Sequence, residues 1–146
     1  MTITIRTIAP RDRQRWAPLW ADYLAFYESD LPPEITDATF ARFLDPNEPM
    51  FALVAEENGQ LLGFVHCVLH RGTWSIGDFC YLEDLFVTAS GRGKGIGRAL
   101  IQAVYTRADN LNCARVYWLT HETNTTARAL YDKIAEHRGF IQYRRP

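Results

Sequence analysis

Lysine is nearly absent from this chain. Lys94 and Lys133 are the only two in 146 residues, and arginine supplies the remaining fixed positive charge. Acidic and basic residues balance to a formal net charge of −1. Such a surface is not built to coat nucleic acid or anionic lipid. Cysteine is scarce too, with Cys67, Cys80 and Cys113 alone. The odd number and the spacing fit no zinc pattern, and a reduced, cytoplasmic protein is expected. His66, His70, His121 and His137 do not fall at metal-ligand spacing either, so no metal is expected. No apolar run approaches the roughly 20 residues needed to span a bilayer. Met1–Arg6 alternates polar and apolar residues, unlike a signal peptide. Neither membrane insertion nor secretion is expected. Repeats, linkers and low-complexity tracts are missing, and residues 1–146 are read as one domain.

What is present is an ordinary globular composition, 47% hydrophobic, with an aromatic share of 13%. That share points to a large core or an aromatic-lined pocket. Ile3 and Ile5 with their flanking threonines read as a first strand. Trp16, Leu19, Trp20, Tyr23, Leu24 and Tyr27 form one helical face, with Pro18 expected to kink it or to mark a start near Trp16. A second helix is expected from Thr36 or Asp37 to about Leu44. Met50–Ala55 and Leu61–Leu69 flank Asn58-Gly59, a strong hairpin signal. A strand at Cys80–Val87, a helix at Ile96–Ala108 and a strand at Ala114–Leu119 follow. A last helix striped by Ala127, Leu130, Tyr131, Ile134 and Ala135 is expected to close at Gly139, before a final strand Phe140–Tyr143. The order β-α-α-β-β-β-α-β-α-β predicts a single-domain α/β fold, a mixed sheet flanked by helices.

The most informative stretch is Gly91-Arg92-Gly93-Lys94-Gly95-Ile96-Gly97-Arg98, between a strand and the mouth of a helix. Glycine lets backbone N–H groups close on a ligand, and a helix N-terminus adds unpaired donors and a positive dipole end. Arg92 and Lys94 add charge, which together makes a phosphate cradle. A solvated turn is the alternative, but repeated glycine costs roughly 0.5–1 kcal/mol per residue at a helix start. A Walker loop fails because Gly95 follows Lys94. The dinucleotide fingerprint fails in every register, its last position falling on Ile96, Arg98 or Leu100. The pattern [RQ]-x-x-G-x-[GA] fits, as Arg92-Gly93-Lys94-Gly95-Ile96-Gly97.

That hexapeptide, after Tyr81-Leu82-Glu83-Asp84-Leu85-Phe86-Val87, resembles the acetyl-CoA motif of the GNAT superfamily of N-acetyltransferases. Asn124-Thr125-Thr126-Ala127-Arg128-Ala129-Leu130-Tyr131 is similar to the family's N-x-x-[AS]-x-x-[FL]-Y helix. Leu-Glu-Asp-Leu-Phe-Val and the segment around Tyr27-Glu28 are most similar to polyamine (spermidine/spermine-type) members. One departure is the Tyr131–Gly139 segment, about a turn longer than the family's usual closing stretch.

The resemblance implies an acetyl-CoA-dependent transfer to an amine. It assigns the cofactor to the Leu85-Phe86-Val87 backbone, to Arg92, Gly93, Lys94, Gly95, Ile96, Gly97 and Arg98, and to Asn124, Ala127 and Tyr131. Lys133 either reaches the phosphates or lies on a solvated face. The acceptor ammonium, near pKa 10, must lose a proton before it can attack. Glu83 is the base candidate, acting through water, with a rim carboxylate as the plainer alternative. Alternation along the strand predicts that Asp84 points to the opposite face. Tyr131 is the general-acid candidate toward the leaving thiolate, with a core aromatic as the alternative. Asn124, about two turns earlier, is expected on the same helix face. His121 is a second base candidate, with a plain loop-end histidine as the favoured alternative.

On the acceptor side stand Tyr23, Tyr27, Glu28, Asp30, Glu34, Glu83 and Asp84, with Trp74 as a closing flap. Aromatics beside carboxylates suit a cationic amine, with a solvated acidic turn beside a core helix as the plainer alternative. The expected function is therefore acetylation of a primary amine on a small, cationic acceptor. The competing readings are a protein-lysine acetyltransferase and, from another class, a non-catalytic acyl-CoA-binding module. Homodimers are common among similar proteins, but the sequence itself does not fix whether this chain forms a homodimer.

Overall fold

A computed structural model describes residues 2–146. Five strands form one sheet in the order β1-β2-β3-β4-β5: β1 (Thr4–Thr7), β2 (Met50–Glu57), β3 (Gln60–His70), β4 (Phe79–Val87) and β5 (Arg115–Tyr117). The first four pair antiparallel, and β5 joins β4 in parallel. The helices are α1 (Arg13–Phe26), α2 (Pro33–Leu44), α3 (Ile96–Asn110) and α4 (Thr125–Ile134).

Local chemistry sets most of these boundaries. Asn58 and Gly59 both take positive φ, 52° and 78°, which gives the β2–β3 turn the twist of its flanking strands. Helix α2 starts earlier than Thr36, because Pro33 stands at its first position, where its missing N–H costs nothing. Helix α1 likewise begins before Trp16, with Pro18 inside its second turn.

Strands β2 and β3 are buried on both faces, as their near-continuous apolar runs require. On one face Phe51, Leu53, Val65, Cys67 and Leu82 pack against Ile96, Leu100, Ile101 and Val104 of α3. On the other Ala52, Val54 and Phe64 pack against Trp16, Leu19 and Trp20 of α1 and Phe40 and Phe43 of α2. At the start of α1, buried Asp12 takes two hydrogen bonds from Arg6 at 2.8 Å each, one from Arg15 at 2.7 Å and one from the Ala9 N–H at 2.7 Å.

The expected final strand does not form. Helix α4 ends at Ile134, with Ala135 extended, so Gly139 does not cap it. Residues 136–146 carry no helix or strand, and Phe140, Ile141 and Tyr143 are exposed.

Candidate active site

Two irregularities in β4 create the site. The first is a bulge. His66 pairs with Asp84, but the next residue, Cys67, pairs with Leu82, so Glu83 has no partner on β3. The extra residue resets the alternation. Leu82, Leu85 and Val87 face the α3 layer, whereas Asp84 contacts His66 and Phe86 packs in the α1 layer. Unbroken alternation would put Asp84 on the α3 face; the bulge turns it toward α1 instead.

The second irregularity is a splay. Parallel pairing with β5 covers Phe79, Cys80 and Tyr81 and stops at Tyr81–Tyr117. Beyond that point β4 has no strand neighbour on this side among the described residues. Thr88 N–H bonds Leu62 O at 2.9 Å across β3. By strand alternation, Phe86 also directs its N–H toward β3, and Leu85 and Val87 direct theirs toward the open edge. Phe86 therefore turns its N–H to β3 and its ring to the α1 layer, 5.8 Å from Phe64.

The glycine loop follows directly. Gly93 and Gly95 take φ of 79° and 74°, and a Cβ built on either meets nothing within 4 Å. Arg92–Gly95 form a loose turn in which no backbone N–H from Gly93 to Arg98 makes a well-formed hydrogen bond among the described residues, and the first helical bond runs from Ala99 N–H to Gly95 O at 3.0 Å. Those donors face open space at the positive end of α3, a cradle with room and charge for phosphate. Ile96 contributes backbone only, because its side chain is buried in the core. A Cβ at position 97 would touch Leu130 of α4 and Val87 of β4, at 3.8 Å each. Arg92 and Arg98 are exposed at the rim.

Across the splay lies α4. Asn124 is not on its face but is its N-cap, its carboxamide oxygen accepting from Ala127 N–H at 3.4 Å. Tyr131 packs edge-on against Trp118, with ring centroids 5.4 Å apart. Burial, then the neighbouring Tyr27, raises its pKa above the ordinary tyrosine value. Lys133 is exposed on the same helix.

On the α1 side an aromatic ladder leads to the cleft. Trp16, Trp20, Tyr23 and Tyr27 follow at centroid spacings of 5.9, 5.5 and 5.0 Å, and Tyr27 faces His121 at 6.1 Å. Tyr23 is perturbed upward by burial first and by Asp84 next, which sets its phenol beside that carboxylate. Glu83 reaches solvent, yet partial desolvation and then the Asp84 charge raise its pKa above the usual carboxylate range. Glu28, at φ 53°, lies exposed just past the end of α1. Trp74 is 86% exposed in the loop before β4 and makes no ring contact with this cluster among the described residues.

Residues 16–135 match the Acetyltransferase (GNAT) family. The chain belongs to that family. It is 39% identical over 145 residues to the D-amino-acid N-acetyltransferase HPA3 of Saccharomyces cerevisiae, covering 98% of this chain and 90% of the relative. The fold is similar to a ribosomal-protein-alanine N-acetyltransferase from Brucella melitensis biovar Abortus 2308, with TM-score 0.83, 25% identity and 99% of each chain covered. It is also similar to AAC(6')-Iy in complex with the bisubstrate analogue CoA-S-monomethyl-acetylneamine, with TM-score 0.87 at 20% identity over 100% of this chain and 99% of that one. The protein is an N-acetyltransferase, and GNAT members use acetyl-CoA.

Within this GNAT chain, sequence reasoning missed His66. It sits in the apolar run of β3 and is 2% exposed, and its ring bonds both Trp16 and Asp84. A polar residue inside a strand buried on both faces was the available signal. No helix of the described residues is long and apolar enough to cross a membrane.

Proposed function

We propose that the chain moves the acetyl group of acetyl-CoA to the primary amine of a small cationic acceptor. The observation that carries this is the run of N–H groups from Gly93 to Arg98 without a well-formed partner, opening beside a splayed β4 edge that starts past Tyr81, at Leu82 and Glu83. Acetyl-CoA, when bound, supplies the activated acetyl thioester. The loop N–H groups and Arg92 hold its phosphates, and the Leu85 and Val87 N–H groups hold its pantetheine arm along the open edge. The carboxamide nitrogen of Asn124, whose oxygen is occupied in capping, is a further donor to that arm.

Glu83 takes the proton from the acceptor ammonium through water. Its raised pKa makes it a stronger base than an ordinary carboxylate. Tyr131 stays protonated at neutral pH and holds its hydroxyl proton for the departing sulfur. Asp84, with Tyr23 and Tyr27 beside it, holds the acceptor's positive charge through ion-pair and cation–π contacts. A free amino acid is the second reading, favoured by the 39% identity to a D-amino-acid N-acetyltransferase. It presents the same ammonium to the same carboxylate.

The test is CoA release from acetyl-CoA with diamines, D- and L-amino acids, aminoglycosides and a lysine peptide. Turnover on a small amine is expected. Turnover on the peptide alone would favour a protein-lysine enzyme, and CoA binding without turnover on any amine would favour a binding module.

A further inference from the structure

Asp84 is the one carboxylate of the cleft that another side chain grips from inside the core. Its Oδ2 lies 2.9 Å from His66 Nδ1, and His66 Nε2 lies 3.1 Å from Trp16 Nε1. An indole N–H only donates, so His66 Nε2 must accept. The ring's proton is then on Nδ1, where it donates to Asp84. Nothing else is consistent with both contacts, because a doubly protonated ring would turn a donor onto the Trp16 N–H. Packing fixes the plane as well as the proton. Phe64 stacks on the imidazole at 4.2 Å and 11°, and Phe43 lies 4.5 Å away. Trp16 has no exposed surface. Burial lowers the His66 pKa, in the same direction as the geometry.

We propose that His66 is a positioning residue: held as the Nδ1–H tautomer by Trp16, it fixes the Asp84 carboxylate in one orientation for the acceptor's ammonium. An aspartate carboxylate, carried on two rotatable bonds, would otherwise rotate, and ordering it on binding costs affinity. The chain Trp16–His66–Asp84 moves that cost into folding. His66 does not touch the acceptor and transfers no proton. The inference rests on the proposed acceptor role of Asp84, and the experiment separates the two.

The acceptor KM and the CoA Kd are measured for H66L, H66N, D84N and the double variant H66L/D84N. Losing a hydrogen bond to a charged group corresponds to roughly a tenfold or larger effect. H66L should raise the acceptor KM about tenfold with the CoA Kd unchanged. H66N, whose amide N–H can stand where Nδ1–H stood, should recover most of that loss. In the D84N background H66L should add little. An equal H66L effect with and without Asp84 would overturn the proposal, since His66 would then act by packing alone. A parental acceptor KM in D84N would instead overturn the acceptor role of Asp84 itself. Imidazole ¹⁵N shifts of the parent protein give an answer that no variant's folding can spoil. A protonated Nδ1 with bare Nε2 is expected, and a protonated Nε2 would sink the proposal.

Discussion

Lys94 Nζ stands 3.1 Å from Glu57 Oε1, so the only lysine of the glycine loop is tied to the β2–β3 hairpin. Arg92 has no such partner among the described residues. The two basic residues of the loop are therefore unequal. R92A should weaken CoA binding about tenfold, the scale of a lost charge-assisted contact, and K94A only about two- to threefold. Calorimetric titration with CoA checks the order, and a larger loss for K94A would reverse it.

The left-handed backbone at Gly95 sets a second expectation. A β-branched residue there meets a conformational cost of roughly 1–2 kcal/mol and fills the open space under the unpaired donors. G95V should remain folded by circular dichroism yet lose CoA affinity at least tenfold. Unchanged affinity in a folded G95V protein would mean the phosphates sit elsewhere.

Glu83 predicts the pH profile. Its carboxyl holds a proton to higher pH than an ordinary glutamate, so kcat/KM should climb with pH through an apparent pKa above the usual carboxylate range. E83Q removes the base and should cut kcat roughly 10²–10⁴-fold while erasing that limb. A profile identical to the parent's would pass the role to another group, with His121 next in line.

Tyr131 carries the opposite expectation. Its raised pKa keeps the phenol protonated beyond the ordinary tyrosine range, so activity linked to it declines only at strongly basic pH. Y131F keeps the ring against Trp118 and should lower kcat by about 10²-fold or more with CoA affinity near the parent's. Near-parental kcat with chemistry rate-limiting would leave Tyr131 as packing.

Acid stability should follow Asp12. Hydrogen bonds from Arg6 bring its pKa down from 3.8 to about 2. A carboxylate depressed in the folded state contributes its stability above the unfolded pKa, and that contribution fades as pH falls through the folded one. The shift corresponds to about 2 kcal/mol, present at neutral pH and lost between about pH 4 and 2. Urea melts at pH 7 and pH 3 should show D12N losing at least that much at pH 7, with a narrower gap at pH 3.

The sequence carried much of this arrangement because its signals were local. Asn58-Gly59 dictates a turn whatever surrounds it, and the glycines at 93 and 95 are written for positive φ. Phe140–Tyr143 shows how far local pattern reaches. Its residues suit a strand, but a strand also needs an edge, and no ladder reaches them. Asn124 was legible as a cap from its residue type and was read instead as a helix-face residue. Glu83 and Asp84 were visible as a pair, yet the parity between them depends on which β3 residue each meets, a long-range fact. His66 was hidden for the same reason. An apolar run buried on both faces does not say which neighbours each side chain finds.

The single unmatched residue in β4 also separates two structural tasks. After Glu83, the same few residues offer side chains to the α1 layer, through Asp84 and Phe86, and main-chain donors to the open edge, through Leu85 and Val87. Main-chain donors survive nearly any substitution. Side chains at 84 and 86 can then serve the α1 layer, where His66 and Phe64 hold them, without disturbing the edge beside them. Deleting one residue here would end that independence, because the strand's inner and outer faces would trade places all the way to the glycine loop.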